Sequence, residues 1–293
     1  MVRYMAYILV ALLALVLTGS VAVVLGQGVV ECLAGPTLVH VTAFDGIGAE
    51  GGHPPRIRAV FEGPTGPRPL RKHWAVVRFP GGWTQWAYIS RSGLIRPRGP
   101  AGLRPGPHRF QVGLPETHPR LDAVAHGTVW VRPEATPVLW IDARAVVPDA
   151  SLALRADDAA AAEPPGGVPA VLDVLKTLAG ACRPVYLVAD EARPYAVYRR
   201  RLKQWGAPPG PCFWVVPGRA YGRLKGLKGV WPTVRGAVVV ADDLARAADR
   251  VEVTVERVPP AGEAAGPQGA AGAWRRTLHR LTAPPSTNPS HRR

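Results

Sequence analysis

The chain opens with an uncharged apolar stretch. From Tyr4 to Leu25 it contains no charged residue and consists mostly of Leu, Val, Ile and Ala. At about 1.5 Å per residue, a helix of this length crosses a hydrocarbon layer of roughly 30 Å. The pattern predicts a transmembrane helix over 4–26. A signal peptide cleaved near Ala22 is the alternative, because such a peptide has a shorter apolar core that ends in small residues.

The charges beside this stretch predict its orientation. Arg3 precedes it, and no Lys or Arg follows before Arg56. The positive flank of a span normally remains in the cytoplasm. We therefore expect a single-pass membrane protein with a cytoplasmic N-terminus and an extracytoplasmic body.

Short runs of alternating polar and apolar residues follow, separated by Gly and Pro clusters. The runs 56–61 and 108–112 alternate with period two, which is typical of strands with one buried and one wet face. The pattern predicts an all-β sandwich over 37–132. The run 103–112 resembles the turn and strand of bacterial immunoglobulin-like (Ig-like) modules.

Four tryptophans of this region allow two interpretations. Trp74, Trp83, Trp86 and Trp130 lie in or beside strand-like runs. Aromatic residues in that setting fill a sandwich core, which is the interpretation we favour, or form an exposed carbohydrate-stacking surface.

From Pro137 onward, apolar strands alternate with helical patterns, which predicts an α/β domain with a Rossmann-like parallel sheet over 137–257. The run 137–141 is wholly apolar, as in strands covered on both faces. The segment 258–293 is basic and rich in Ala, Gly, Pro and Ser, so we expect it to be mostly disordered.

Carboxylates follow several of the predicted parallel strands. Asp142, Asp190 and the pair Asp242 and Asp243 each come at such a strand end. Ligands of parallel sheets gather at this edge, although a single Asp there also commonly caps a helix. Together these residues predict a site.

The order of these features resembles the haloacid dehalogenase-like (HAD) superfamily, in particular its acid-phosphatase and lipin-like branch, over 137–255. Asp142 matches the nucleophile at the end of the first strand, and 185–194 with the turn 205–210 resembles the second motif. The resemblance implies that Lys225 or Lys228 contacts phosphate and that Asp142, Asp242 and Asp243 hold Mg²⁺.

Two departures from this pattern weaken catalysis. Arg144 stands where the family has its general acid, and it cannot give up a proton near neutral pH. Val188 or Ala189 replaces the phosphate-binding hydroxyl. We therefore expect a degenerate domain that binds a phosphorylated or anionic ligand or a partner through Arg144 and Asp190 with little or no catalysis.

Two other functions stay open. One is a Mg²⁺-dependent phosphomonoesterase with Asp142 as the nucleophile. The other is a structural envelope module in which the sandwich binds and the α/β part serves as a spacer.

Charge and cysteines add little to this picture. The net charge of +15 comes from scattered residues, mostly Arg, without a basic block interleaved with aromatics, so we expect no nucleic-acid partner.

Cys182 and Cys212 precede the second and third predicted parallel strands. The family's strand order implies that these strands are neighbours, so the two thiols either form a disulfide or are two buried small residues. Cys32 has no assigned role.

Overall fold

The computed structural model describes residues 39–63, 69–70, 73–115, 124–148, 164, 168–189, 192–216 and 218–260, together with 272, 274–276 and 279. These residues form a β half and an α/β half. The β half contains strands β1 to β8, which are His40–Phe44, Gly46–Ala49, Arg58–Glu62, Trp74–Arg78, Thr84–Tyr88, Leu94–Ile95, Gly106–Gly113 and Val124–Arg132.

Two sheets pack around the core of the β half. One is antiparallel with strand order β1-β3-β6, and the other has the order β2-β8-β7-β4-β5. Strand β2 runs parallel to β8, whereas the remaining pairs of the second sheet are antiparallel. Phe61 from the first sheet and Phe110 and Val112 from the second are buried in one apolar cluster. The Phe110 ring lies over Gly127 of the neighbouring strand, where a Cβ would come within 2.2 Å of it.

The α/β half is built on a parallel sheet. Its strands β9 to β13 are Val138–Asp142, Arg183–Val188, Cys212–Trp214, Val234–Val239 and Val255–Arg257, and they pair in the order β11-β10-β9-β12-β13. Helices α1 to α4 are Val168–Ala181, Ala192–Gln204, Ala220–Val230 and Asp242–Arg250, and a short 3-10 helix covers Ala143–Ala145. The central strand β9 is buried at every position, as expected for its apolar residues 138–141, and Asp142 at its end is buried with them.

The two halves share buried residues. Phe44, at the end of β1, belongs to the apolar cluster of the α/β half and stacks on Trp214 with ring centroids 4.1 Å apart. The Trp231 indole N–H donates to the carbonyl oxygen of Gly48 in β2 at 3.0 Å. The guanidinium of Arg132 lies 4.8 Å from the centre of the same indole ring. The two halves are therefore joined by contacts between residues that are distant in sequence.

This architecture corrects the predicted arrangement of a transmembrane helix, an Ig-like sandwich and a separate HAD-type domain. That arrangement is wrong, because the β half contains a mixed sheet and its first strands pack into the α/β half. In the segment predicted as a disordered tail, Trp274 is fully buried in the same cluster as Phe44. Burial of one large indole side chain contributes hydrophobic free energy that the average composition of the segment does not reveal.

The predicted membrane topology is also corrected. In the part of the chain that the structure describes, no helix combines the length and the apolar character needed to cross a membrane. The finding contradicts the prediction of a single-pass protein with an extracytoplasmic body. The segment for which the span was predicted, 4–26, lies outside the described residues.

Candidate functional site

The strongest candidate from the sequence, Asp142, is fully buried at the end of the central strand. Its carboxylate accepts five hydrogen bonds from its own chain. One oxygen, Oδ1, accepts from the backbone N–H and the Nε of Arg144 at 3.1 and 3.2 Å. The other, Oδ2, accepts from Nη2 of Arg144 and from the backbone N–H groups of Val240 and Ala241, each at 3.1 Å. Every contact of this carboxylate is with a donor, as expected for its ionised form.

These contacts follow from the topology. Strands β9 and β12 are neighbours, so the backbone that leaves β12 at Val240 passes beside the end of β9. Asp142 also caps the 3-10 helix, which brings the Arg144 side chain back over the carboxylate. Partial burial acts to lower the pKa of Arg144, but the charge and hydrogen bonds of Asp142 raise it above its ordinary value. The two residues therefore form a charge-assisted pair with fork geometry.

The arrangement bears directly on phosphoryl transfer. A nucleophilic or metal-binding carboxylate needs a lone pair that faces the substrate or the ion. Both Asp142 oxygens are already occupied, and the nearest charge is a cation that would repel Mg²⁺. Within the described ranges, no three His, Cys, Asp or Glu side chains lie close enough to hold a metal ion. The described residues do not fit a magnesium site.

Of the other acidic residues of the predicted site, Asp243 lies close enough to Arg144 for its charge to help raise the pKa of that guanidinium, whereas Asp242 pairs elsewhere. Asp242 begins α4 and forms an ion pair with Arg257 in which both side chains are more than 60 % exposed. Asp243 Oδ1 accepts from the backbone N–H of Leu244 at 2.8 Å. Asp190 lies outside the described residues. Carboxylates at the start of a helix stabilise it through its dipole, which is the role that this position supports.

Lys228 lies away from the strand end that carries Asp142. Lys228 donates to the carbonyl oxygens of Val251 and Glu252 at the C-terminal end of α4. Since β12 begins shortly after α3 ends, this contact lies at the edge where the parallel strands start, opposite Asp142. Lys225 is exposed on α3. The position of Lys228 does not fit the predicted phosphate contact, and that of Lys225 stays a prediction.

The two cysteines are both free and buried. Cys212 pairs with Tyr186 in the parallel register, and Cys182 lies four residues before Tyr186, directly ahead of β10. At about 3.3 Å per residue this is about 13 Å, well beyond the Cα spacing that a disulfide bridges. Burial raises the pKa of both thiols, most strongly at Cys212. The predicted pairing is therefore replaced by its alternative, two buried small residues.

The glycine-rich turn 205–210, which suggested the second HAD motif, serves packing. The Tyr186 hydroxyl donates to the carbonyl oxygen of Pro208 at 2.8 Å. A Cβ at Gly210 would meet the Pro184 carbonyl oxygen at 2.3 Å. The turn thus needs glycine because it lies directly against β10.

A second buried carboxylate, which the sequence did not suggest, joins the two halves. Asp45 lies between β1 and β2 and forms an ion pair with Arg199 of α2, its Oδ1 3.1 Å from Nη2. The same oxygen accepts from the Thr128 N–H at 3.0 Å, and Oδ2 accepts from the Cys212 N–H at 3.1 Å. The N–H of Asp45 donates to the Tyr195 hydroxyl, which donates in turn to the Cys212 carbonyl. A lone Asp after a strand gives no sequence signal for such a network.

The charge state of this network follows from its donors. Burial raises the pKa of the Asp45 carboxyl, while Arg199 and the backbone N–H groups of Cys212 and Thr128 oppose that shift. Burial acts to lower the pKa of Arg199, and Asp45 raises it above the ordinary value. Because both carboxylate oxygens accept hydrogen bonds, we assign the ion pair as the state at neutral pH.

The tryptophans of the β half divide into two groups. Trp83 packs beside Phe79 of the core, and Trp130 packs against the α/β half. Trp74 and Trp86 are 53 % and 56 % exposed, together with Tyr88 at 53 %. The core interpretation is wrong for Trp74 and Trp86, because strand alternation cannot tell which face of a sheet is covered. Their exposure leaves the carbohydrate-stacking alternative open.

Comparisons with known proteins do not assign a family. No family model matches the chain, and no curated protein matches it. Among solved structures, a carbohydrate acetylesterase from Xanthomonas citri is similar with 10% identity and a TM-score of 0.29, covering 80% of this chain and 71% of that one. PhoD has 10% identity and a TM-score of 0.28 and covers 62% of this chain and 39% of its own. These TM-scores are too low to argue a shared fold or activity.

Proposed function

We propose that this protein is a non-catalytic binding protein whose α/β half does not transfer phosphoryl groups. The observation that carries the proposal is the occupied carboxylate of Asp142, with five hydrogen bonds from its own chain. A phosphomonoesterase would have to break these contacts before the carboxylate could attack phosphorus.

The energetic cost of freeing Asp142 supports the same conclusion. Withdrawing Arg144 and turning the carboxylate toward a substrate would leave the N–H groups of Val240 and Ala241 without their acceptor. Both residues are half-buried, so each N–H left unsatisfied would cost less than the about 1–3 kcal/mol of a fully buried donor. Arg144 also cannot act as the general acid that the reaction requires.

A binding role has its own support in the β half. Exposed aromatic side chains are unusual enough on a sheet that they commonly mark an interaction site. Trp74, Trp86 and Tyr88 provide such a surface. The proposal thus favours binding by the β half, with the α/β half as its support.

The first test is turnover of phosphomonoesters, including p-nitrophenyl phosphate, by the full chain with Mg²⁺. We expect no turnover above background, because Asp142 has no oxygen available for the reaction. The control is the double variant Asp242→Asn/Asp243→Asn, which removes the two other acids that the HAD resemblance assigns to Mg²⁺. Asp242 is exposed, and Asp243 is half-buried, accepts from the Leu244 N–H and acts on Arg144 through its charge; neither lies in the apolar core, so this variant should fold.

Two results would overturn the proposal. One is Mg²⁺-dependent turnover that the double variant abolishes. The other is turnover that persists in the double variant but disappears in Asp142→Asn while circular dichroism shows that variant to be folded.

A further inference from the structure

Strand β5 ends the second β sheet and exposes one of its edges. It pairs with β4 on one side, and in the described part of the chain no strand lies on its other side. Thr84, Trp86 and Tyr88 are its outward side chains, and all three are exposed. We call the side of β5 that faces away from β4 the open edge. A sheet edge of this kind presents backbone groups with which a further strand can pair.

The hydrogen bonds to β4 define which backbone groups of β5 point to the open edge. The Phe79 N–H donates to the Trp83 carbonyl and the Ile89 N–H donates to the His73 carbonyl, each at 2.9 Å. Hydrogen-bonded pairs alternate along an antiparallel register, so every second residue of β5, beginning at Gln85, bonds to β4. The N–H and C=O groups that point to the open edge are those of Thr84, Trp86 and Tyr88.

The other sheet edges among the described strands carry features that prevent pairing. Strand β2 contains two glycines and is covered by the α/β half, where Trp231 donates to Gly48, and β1 ends in Phe44, which packs into the α/β half. Strands β6 and β11 have only two and three residues, and the short β13 carries Glu256 and Arg257. Strand β5 contains no charge, proline or glycine. An edge without such features is suited to pairing with another strand.

The open edge is complementary to itself. In an antiparallel pairing about a two-fold axis at Trp86, Trp86 of one copy lies opposite Trp86 of the other, and Thr84 lies opposite Tyr88. All of these residues direct their N–H and C=O groups to the open edge, so each pair can exchange two hydrogen bonds. The two Trp86 rings become neighbours on one face, and aromatic cross-strand pairs contribute about 0.2–1 kcal/mol. No charged side chain of β5 opposes another in this register.

We propose that this protein associates with a second copy of itself through the open edge, an inference that rests on the binding role proposed for the β half. The pairing joins the second sheets of both copies into one continuous sheet. It is isologous, so both copies contribute the same surface. One strand pair covers less area than the roughly 1,200–2,000 Å² of a stable interface. We therefore expect a weak, concentration-dependent dimer in which backbone hydrogen bonds provide most of the affinity.

The first measurement is sedimentation velocity of the full chain over a range of concentrations, at about 0.15 M salt, where repulsion between two basic copies is screened. We expect the dimer fraction to rise with concentration. Trp86→Lys should weaken the dimer by about tenfold or more, because two cations would meet at the two-fold axis. Trp86 is 56 % exposed, so the variant should fold, which circular dichroism checks.

The matched control is Trp74→Lys. Trp74 is 53 % exposed and lies on the same sheet face, opposite Tyr88 in the register, but one strand inside the open edge. Its variant should leave the dimer affinity within about threefold of the wild type. A loss as large as that of Trp86→Lys would assign the association to the sheet face rather than to the open edge and would overturn the inference.

A mixture of two variants tests the two-fold register. Trp86→Lys and Trp86→Glu should each associate poorly alone, whereas their mixture should associate about tenfold more tightly than either, because opposite charges then meet at the axis. The corresponding mixture of Trp74→Lys and Trp74→Glu should show no such gain. If the Trp86 mixture associates no more tightly than its components, the proposed pairing is wrong.

Amide hydrogen exchange in the wild type gives a readout that needs no substitution. The amides of Thr84, Trp86 and Tyr88 should exchange more slowly as the concentration rises, while those of Gln85 and Ala87 stay protected throughout. A wild type that remains monomeric, or exchange at the open edge that does not change with concentration, would contradict the inference. These experiments leave Asp142 unaltered, so failure of this inference is distinguishable from failure of the phosphomonoester test.

Discussion

Two buried Asp–Arg pairs use the same chemistry at different distances along the chain. Asp142 and Arg144 are two residues apart, and their pair forms within one strand end. Asp45 and Arg199 come from opposite halves of the molecule. In both pairs, backbone N–H groups complete the set of donors to the carboxylate.

The difference shows what each pair can stabilise. The Asp142 pair fixes the path of the chain after β9 and β12, so its contribution belongs to the α/β half. The Asp45 pair forms only when β1, β8, β11 and α2 are assembled, so it reports on the contact between the halves. A buried ion pair contributes little compared with apolar packing, but removing one partner is strongly destabilising.

The largest effect is expected for Asp142→Asn. The amide would place an N–H₂ group against donors on at least one side, at a position where the carboxylate itself is fully buried. We expect the free energy of unfolding to fall by about 3–5 kcal/mol, measured by urea denaturation. A loss below about 1 kcal/mol would show that the five hydrogen bonds do not hold the strand end.

A smaller effect is expected for Asp45→Asn. Three donors rather than five contact this carboxylate, so we expect a loss of about 2–3 kcal/mol. The double variant Asp45→Asn/Arg199→Met should lose less than the sum of the two single variants, because neither partner then stays buried and charged. Strict additivity would contradict direct coupling between the halves through this pair.

The smallest effect is expected for Asp242→Asn. Its ion pair with Arg257 is mostly exposed, and exposed pairs contribute about 0–1 kcal/mol. The variant should unfold at nearly the wild-type urea concentration, and raising the salt concentration should remove any remaining difference. A loss comparable to that of Asp45→Asn would mean that exposure does not distinguish the three pairs.

Local patterns in the sequence predict the elements well. The apolar run before Asp142 forms β9, and the three-and-four spacing of Val168, Val171, Leu172, Leu175 and Leu178 forms the buried face of α1. Such patterns report the burial of neighbours within one element. They therefore identify strands and helices without revealing how the halves meet.

The site residues show where this local information ends. The place of Asp142 after an apolar run predicts a site residue, but the donors at Val240 and Ala241 come from a distant segment that the local pattern does not reveal. Asp45 had no sequence signal because its partners are Thr128, Arg199 and Cys212. The exposure of Trp86 depends on which face of its sheet packs against the other sheet of the β half, which no pattern within the strand encodes.

The position of Asp45 has a consequence for the order of folding. The Asp45 contacts with Tyr195 and Cys212 span 150 and 167 residues. During synthesis, strands β1 and β2 emerge long before the strand and helix that complete their buried contacts. Closing such long loops gives a high contact order and slow folding. The first strands of the chain are therefore among the last to reach their native environment.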